Sequence, residues 1–466
     1  MRQLVLGLIL AILITAASAE CGEQKKWTLE ELTTYALKHR EDLLAQDERI
    51  KAAQSKVDGA FSHYLPRISI GAAAAKASQN YELDLSNSKI TTSISTSVQT
   101  PYGSLPVNFP LNVALPNNVR LLSDAYVKAS VTLDQPLYTW GRISHFLSAA
   151  QKSKEYETTK KREGDIDTVC QVRSAYYSFV VAQKAHQETE KIFQEVRFIR
   201  GLLPQLLQTG PNPQPTGLSN LDVMEVEEFF LQAQGMLIKT QEMQHTALSY
   251  LTLATGSPKD LSANGLEAVS NIDIELQKVD FYVNRALQRS PALESLAIGI
   301  QAEEHLNEAE KAARYPVLGV RAFYERLEDN ANAYPRDYSA VCLVVSGPIF
   351  DSGEATAKAD QHLHQAKEFA QKQVFLKKYT ETVVTVVYEE ITDLKRLLEI
   401  DSQKLKLVNQ RMKLAMFALR NNMSPYQAYR DAFLMRRQTI QEHLERLWLF
   451  YEKVTSLLKL VGEGKI

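Results

Sequence analysis

Cysteine, tryptophan and long apolar runs are all scarce in this chain. Its 466 residues include three cysteines and three tryptophans, and beyond Glu20 no stretch approaches 18 uncharged apolar residues. Three scattered cysteines exclude a disulfide framework, and the missing run excludes a transmembrane helix in the exported chain. With 19 Gly, 16 Pro and 23% charged residues, collagen, low complexity and disorder are excluded as well. Fifty-three Lys+Arg against 55 Asp+Glu leave a net charge of −2, which argues against a nucleic-acid partner. No HExxH, CxxC, GxSxG, Walker A or GxGxxG pattern occurs, and no pair of carboxylates marks an acid/base site, so neither an enzyme nor a cofactor is indicated. His362-Leu363-His364 sets two imidazoles about 200° apart on a helix, a poor metal clamp, and no metal is expected. Cys170 and Cys342 read as small buried residues rather than reactive thiols.

What is present begins with an address. Arg2, an apolar run from Leu4 to Ile14 and Ala17-Ser18-Ala19 form the three regions of a signal peptide over residues 1–19. Cys21 follows the cleavage site closely, but Glu20 precedes it where a small residue should stand, which argues against lipidation.

Behind the address lies a long internal repeat. Ala36-Leu37, Leu43, Ile50, Ala52 and Pro66 recur as Ala286-Leu287, Leu293, Ile300, Ala302 and Pro316, at an offset of 250. Pro136-Leu137-Tyr138-Thr139-Trp140-Gly141 recurs as Pro348-Ile349-Phe350-Asp351-Ser352-Gly353 at 212, and Ser219 pairs with Ser424 at 205. The order is kept while the spacing shrinks, so the first half carries two insertions. They fall in the Ser/Thr/Asn/Pro-rich stretch from about Gln79 to Asp124 and in the run Gly210 to Thr216.

Helical signals dominate both halves. Thr28-Leu29-Glu30-Glu31 is a capping box that opens a helix reaching about Tyr64. The stretches 141–208 and 353–419 read as single rods of roughly 100 Å. In the second, Val384, Val387, Ile391, Leu394, Leu398, Leu405, Val408, Met412, Ala415 and Leu419 keep one heptad register, broken only at Asp401. Shorter helices near 28–63, 221–254, 281–313 and 426–460 suggest two short rods stacked beside each long one.

Strand signals precede each rod. In the second half, residues between Pro316 and Pro348 leave room for two strands of membrane-crossing length, with Leu318, Val320, Ala322 and Tyr324 alternating against Gly319, Arg321, Phe323 and Glu325. The first half offers a similar pair within 66–137, its intervening Tyr81–Asp124 read as a long extracellular loop. Four strands cannot close a barrel, so membrane entry requires several copies, and strand count alone leaves their number open. The rival is a soluble periplasmic coiled-coil scaffold or adaptor whose hairpins pack internally.

The doubled layout, Tyr64-Leu65-Pro66-Arg67 before a strand, Gln135-Pro136-Leu137-Tyr138 before Trp140-Gly141-Arg142, and Leu253-Ala254-Thr255-Gly256 closing a helix resemble the TolC-like outer-membrane efflux protein family. The resemblance implies a mainly α fold with a small β part: a coiled-coil helical barrel continuing a trimeric, 12-stranded β-barrel with four membrane strands per chain. It implies residence in the outer membrane of a Gram-negative bacterium, embedded in outer-membrane lipid. The partners implied are a periplasmic adaptor and an inner-membrane pump, for passive export in tripartite efflux or type I secretion. The domains expected are a first repeat over 20–256, an equatorial linker over 257–279 and a second repeat over 280–466.

The working parts of such a duct are its two helix-to-helix turns. Gly217, Ser219 and Asp222 in the first, with Asn421 and Ser424 in the second, are candidate adaptor contacts. Arg420, Gln427, Arg430 and Asp431 are candidates for the periplasmic aperture, where Gln427 stands in place of the family's acid. Asn421 replaces a Gly there and can take the left-handed backbone a Gly would provide. Asp222 reads equally as an acid serving the helix dipole, and the arginines as solvated surface or inter-helix ion pairs.

Overall fold

A computed structural model describes residues 27–76, 81–84, 90–100, 103–113, 118–122, 125–208, 218–256, 258, 261–262, 266, 275–329, 336–421 and 423–462. The signal peptide, Cys21, Gly217 and most of the linker at 257–279 lie outside these residues. In chain order the elements are α1 (Leu29–His39), α2 (Glu41–Ser62), β1 (Arg67–Lys76), β2 (Tyr81–Asp84), β3 (Ile90–Thr100), β4 (Gly103–Val113), β5 (Asn118–Leu122), β6 (Ala125–Tyr138), α3 (Arg142–Gln208), α4 (Asn220–Thr255), α5 (Val279–Arg289), α6 (Pro291–Ala312), β7 (Val317–Asp329), β8 (Arg336–Ser346), α7 (Glu354–Arg420) and α8 (Tyr426–Val461). Helices predominate and the sheet is antiparallel. Helix lengths of 11, 22, 67 and 36 residues occur in that order in each half.

Both helices expected before the strands are broken in two. Arg40 and Ser290, 250 positions apart, leave the helical region with ψ of 127° and 114°. Pro291 explains the second break, because its ring disfavours helical backbone at the preceding residue. The first break is held by side chains: Arg40 grips Asp42 through Nε and Nη2 at 2.9 and 2.6 Å and donates to Gln171 at 2.8 Å. Those hydrogen bonds from Arg40 hold the Asp42 carboxyl below its usual pKa. Pro204 sits inside α3, which continues to Gln208. There the ring removes one amide donor without ending the helix.

The stretch Tyr81–Asp124, read as loop, contains strands. β2 pairs with β5 and β3 with β4 as two antiparallel ribbons. Alternation such as Ile90, Thr92, Ile94 was present, but its Ser/Thr/Asn composition resembled a loop.

The described residues divide into two compact units. One gathers residues up to Gln46, Lys161–Pro291 and the chain from Lys377 onward; the other holds Asp47–Lys160 and Ala292–Leu376. In the first, the capping box at Thr28 is made as the sequence predicts, Thr28 N donating to Glu31 Oε2 at 3.0 Å and Glu31 N to Thr28 Oγ1 at 3.2 Å. This unit has two apolar cores. One joins Val172, Tyr176, Val180, Leu251, Val384, Ile391, Tyr451 and Leu457; the other joins Ile199, Leu203, Val226, Met412, Leu419, Tyr426, Tyr429 and Phe433. The α7 positions in them are members of the heptad seam, and a run of such knobs turned one way is what a coiled coil buries.

The second unit has a four-stranded sheet in the order β1-β6-β7-β8. The helical segments of this unit bury mainly alanines, including Ala53, Ala60, Ala149, Ala309, Ala359 and Ala366, which permits close backbone approach.

Candidate functional site

Register across the sheet sorts its side chains onto two faces. Ile68, Leu133, Ala322 and Val341 fall in one cross-strand row and Ile70, Val131 and Tyr324 in the next. Ile68, Ile70, Val131, Tyr324, Val341, Leu343 and Val345 are all exposed. Alternate residues form the other face, where Arg321 Nε meets Asp134 at 2.5 Å and Lys128 Nζ meets Glu325 at 2.7 Å. One surface is therefore apolar and the other carries paired charges, as period-two alternation predicts. Neither β1 nor β8 has a second strand neighbour among the described residues.

The base of the sheet is fixed by a repeated turn. Trp140 and Ser352 have φ of 56° and 54°, each followed by a glycine at 82° and 85°. Two left-handed residues in succession turn the chain from strand to helix, and the second must be glycine to avoid strain. Trp140 Nε1 donates to the Pro316 carbonyl at 2.8 Å, while Gln135 Nε2 donates to the Tyr64 carbonyl at the same distance, tying strand ends to the preceding turns. Trp140 packs between Tyr138, edge-on, and Tyr315, tilted, with centroids 5.0 Å apart in each pair. These three rings are exposed, as are Ile349 and Phe350, a composition that marks a membrane interface. His362 lies in this unit beside Glu303, with Nδ1 2.6 Å from Oε2, and no group of three metal-ligating side chains exists among the described residues.

At the helix-to-helix turns the two halves differ. Ser219 caps α4: its Oγ accepts from Asp222 N at 3.4 Å, and the Asp222 carboxylate takes Ser219 N at 2.8 Å and Oγ at 2.9 Å. Asp222 is thus occupied as the acid of a capping box. In the second turn, Pro425 precedes α8 without a side-chain cap. Asn421 closes α7 through its side chain, Nδ2 donating to the Phe417 carbonyl at 2.8 Å. Ser424 is half-buried between them, and Arg420, Gln427 and Asp431 are exposed.

Arg430 is neither free nor purely solvated. Its Nη1 lies 3.8 Å from Glu225 of α4 and its Nε 3.4 Å from Asp431. Beneath it, sequence reasoning missed three residues. Tyr426 and Tyr429 are buried, and Arg436 of α8 is paired with Glu195 of α3. Burial, with Glu225, Asp222 and Glu195 nearby, pushes both phenol pKa values far above normal, so the hydroxyls stay protonated. The spacing of Tyr426, Tyr429 and Phe433 was the available signal, since i, i+3, i+7 marks a buried helical stripe.

Residues 32–257 match the family model described as outer membrane efflux protein. That match spans just under half of the chain, and with the fold it makes the chain similar to the TolC-like outer-membrane efflux proteins, a family of channels of the cell outer membrane that extend into the periplasm. A membrane protein from Pseudomonas aeruginosa is similar over 94% of this chain and 90% of its own, with 16% identity and a TM-score of 0.73. The outer membrane protein VceC of Vibrio cholerae is similar over 94% and 96%, at 14% identity and a TM-score of 0.71. The open-state MtrE channel of Neisseria gonorrhoeae covers 94% and 89%, at 13% and 0.65. No curated protein matches the sequence.

Proposed function

We propose that this chain is the outer-membrane exit duct of a tripartite efflux or type I secretion system, working as a homotrimer and exporting passively what an inner-membrane pump and periplasmic adaptor deliver. The observation that carries this is the open four-stranded sheet. Its strands have 10 to 14 residues, one face is apolar, and both edges lack a partner among the described residues. Edges left bare in hydrocarbon cost several kcal/mol per unpaired group, so copies must close on one another. Three copies give twelve strands, enough for a barrel.

Exposed stripes on the helices support the same assembly. α7 exposes Tyr379, Val386, Ile400, Leu407 and Leu414, and α4 exposes Met224, Leu231 and Ile238, all at multiples of seven. A second seam at heptad spacing on a helix already packed along its first is a surface for another copy. The 11, 22, 67 and 36 residue helices repeated in each half support reading 20–256 and 280–466 as structural repeats joined by a linker at 257–279. Ser219, Asp222, Asn421 and Ser424, with Gly217, are assigned to adaptor contact. Loosening of Arg430 from Glu225 is the corresponding opening step.

Membrane fractionation tests the reading. A detergent-requiring, heat-modifiable oligomer in the outer-membrane fraction is expected. A monomer in the aqueous periplasmic extract would sink it in favour of a scaffold.

A further inference from the structure

Two histidines face each other across the seam between α3 and α6. The helices run antiparallel there: Thr159 Oγ1 of α3 donates to Glu294 Oε1 of α6 at 3.4 Å, and further along the seam His145 Nδ1 lies 3.4 Å from His305 Nδ1. The two rings are tilted by 37° with centroids 5.7 Å apart, and both residues are half-buried, so a small solute can reach them. The internal repeat does not call for imidazoles at these places. His145 corresponds to Ala357 at the offset of 212, and His305 to Ser55 at the offset of 250.

A separation of 3.4 Å is long for a hydrogen bond from N–H, whose acceptor ordinarily sits about 2.7–3.2 Å away. It suits two nitrogens that share an ion. Zinc–nitrogen bonds of about 2.05 Å meeting at the tetrahedral angle set their nitrogens about 3.3–3.4 Å apart, whereas right-angled bonds of that length, as in square-planar or octahedral sites, set them about 2.9 Å apart. A neutral imidazole protonated on Nε2 offers Nδ1 as a ligand.

The surroundings favour a cation. Between Gln301 and Ala312, α6 carries Glu303, Glu304, Glu308 and Glu310 against Lys311 alone. The basic residue nearest to His145 along α3 is Arg142, whose guanidinium lies over the Phe146 ring at 5.6 Å. No third His, Cys, Asp or Glu completes a cluster among the described residues, so the other corners of the tetrahedron fall to water.

We propose that His145 and His305 hold a zinc ion through their Nδ1 atoms, clamping α3 of the first half to α6 of the second. This goes beyond the exit-duct reading and does not depend on it.

Calorimetric titration with Zn2+ of the full-length, tag-free protein in detergent, first stripped with a chelator, tests the site. One saturable site per chain is expected. His145→Ala and His305→Ser, which take the side chains found at the corresponding repeat positions, are each expected to weaken it at least about tenfold, the loss that removing even a group supporting a ligand brings. His364→Gln, at an exposed position, should leave it unchanged. Co2+ in place of Zn2+ is expected to give the intense visible absorption of a tetrahedral centre, bleached by added Zn2+. In the native protein, with no variant needed, Zn2+ should shield His145 and His305 from diethyl pyrocarbonate in peptide maps and leave His364 reactive. Absence of saturable uptake, a pale octahedral cobalt spectrum, or unshielded His145 and His305 each overturns the proposal. Shielding of His364 to the same degree, or native-like uptake by the folded variants, overturns it too.

Discussion

Gly462 ends α8 with φ of 73°, and a Cβ there would lie 2.9 Å from the Arg289 carbonyl oxygen. Backbone cannot retreat as a flexible side chain can. Gly462→Ala is therefore expected to lower stability by about 1–3 kcal/mol in a thermal or denaturant melt. Gly235, exposed within α4 and with nothing near its missing Cβ, gives the opposite expectation: Gly235→Ala should raise stability by roughly 0.5–1 kcal/mol. If both variants shift the melt the same way, the left-handed cap is not what Gly462 supplies. At Cys170 burial pushes the thiol pKa up to about 11, which leaves little thiolate at neutral pH. Peptide mapping after maleimide treatment near pH 7.5 should find Cys170 unmodified in the native protein and modified after denaturation. Labelling at equal rates in both states would contradict its burial.

Among elements, one tie between α3 and α8 is the Glu195–Arg436 pair, with Arg436 nearly buried and Glu195 partly exposed. Neutralising one partner of such a pair strands the other. Glu195→Gln is expected to cost about 2–3 kcal/mol after allowance for the exposed carboxylate, while Glu195→Met with Arg436→Met should recover much of that loss. A double variant as unstable as the single would show that shape, not charge, joins these helices. Element limits were legible where the signal is local. The Thr28–Glu31 capping box, the strand-to-helix glycines and the α7 heptads all depend on near neighbours in sequence. The break at Arg40 was not, because beside Asp42 its guanidinium is held by Gln171, 131 residues away. The break at Ser290 could have been read from Pro291. The ribbons β2–β5 were missed because composition was weighed over alternation. At the turns, Ser219 and Asp222 carried a readable capping box, whereas Arg430–Glu225 joins helices that only the fold brings together.

For the molecule as a whole, the proposed aperture offers the sharpest electrical test. A side chain at a constriction recurs once per copy, so each charge difference is multiplied by symmetry. With Arg420, Gln427 and Arg430 against Asp431 at the candidate ring, the proposed trimer is expected to be less cation-selective than a ring of acids would make it. Planar-bilayer reversal potentials showing strong cation preference, abolished by Asp431→Asn alone, would contradict that assignment. The cargo was not legible from these residues, because in the proposed duct its selection belongs to the pump. What the chain does disclose is an imbalance between its own corners. Ser219 clasps the start of α4 with a reciprocal pair of hydrogen bonds, whereas Pro425 begins α8 with none from its side chain. A missing N-cap is worth about 0.5–2 kcal/mol. Under equal strain the bend before α8 unravels sooner, and a circle of alternating firm and yielding corners would widen by every second one.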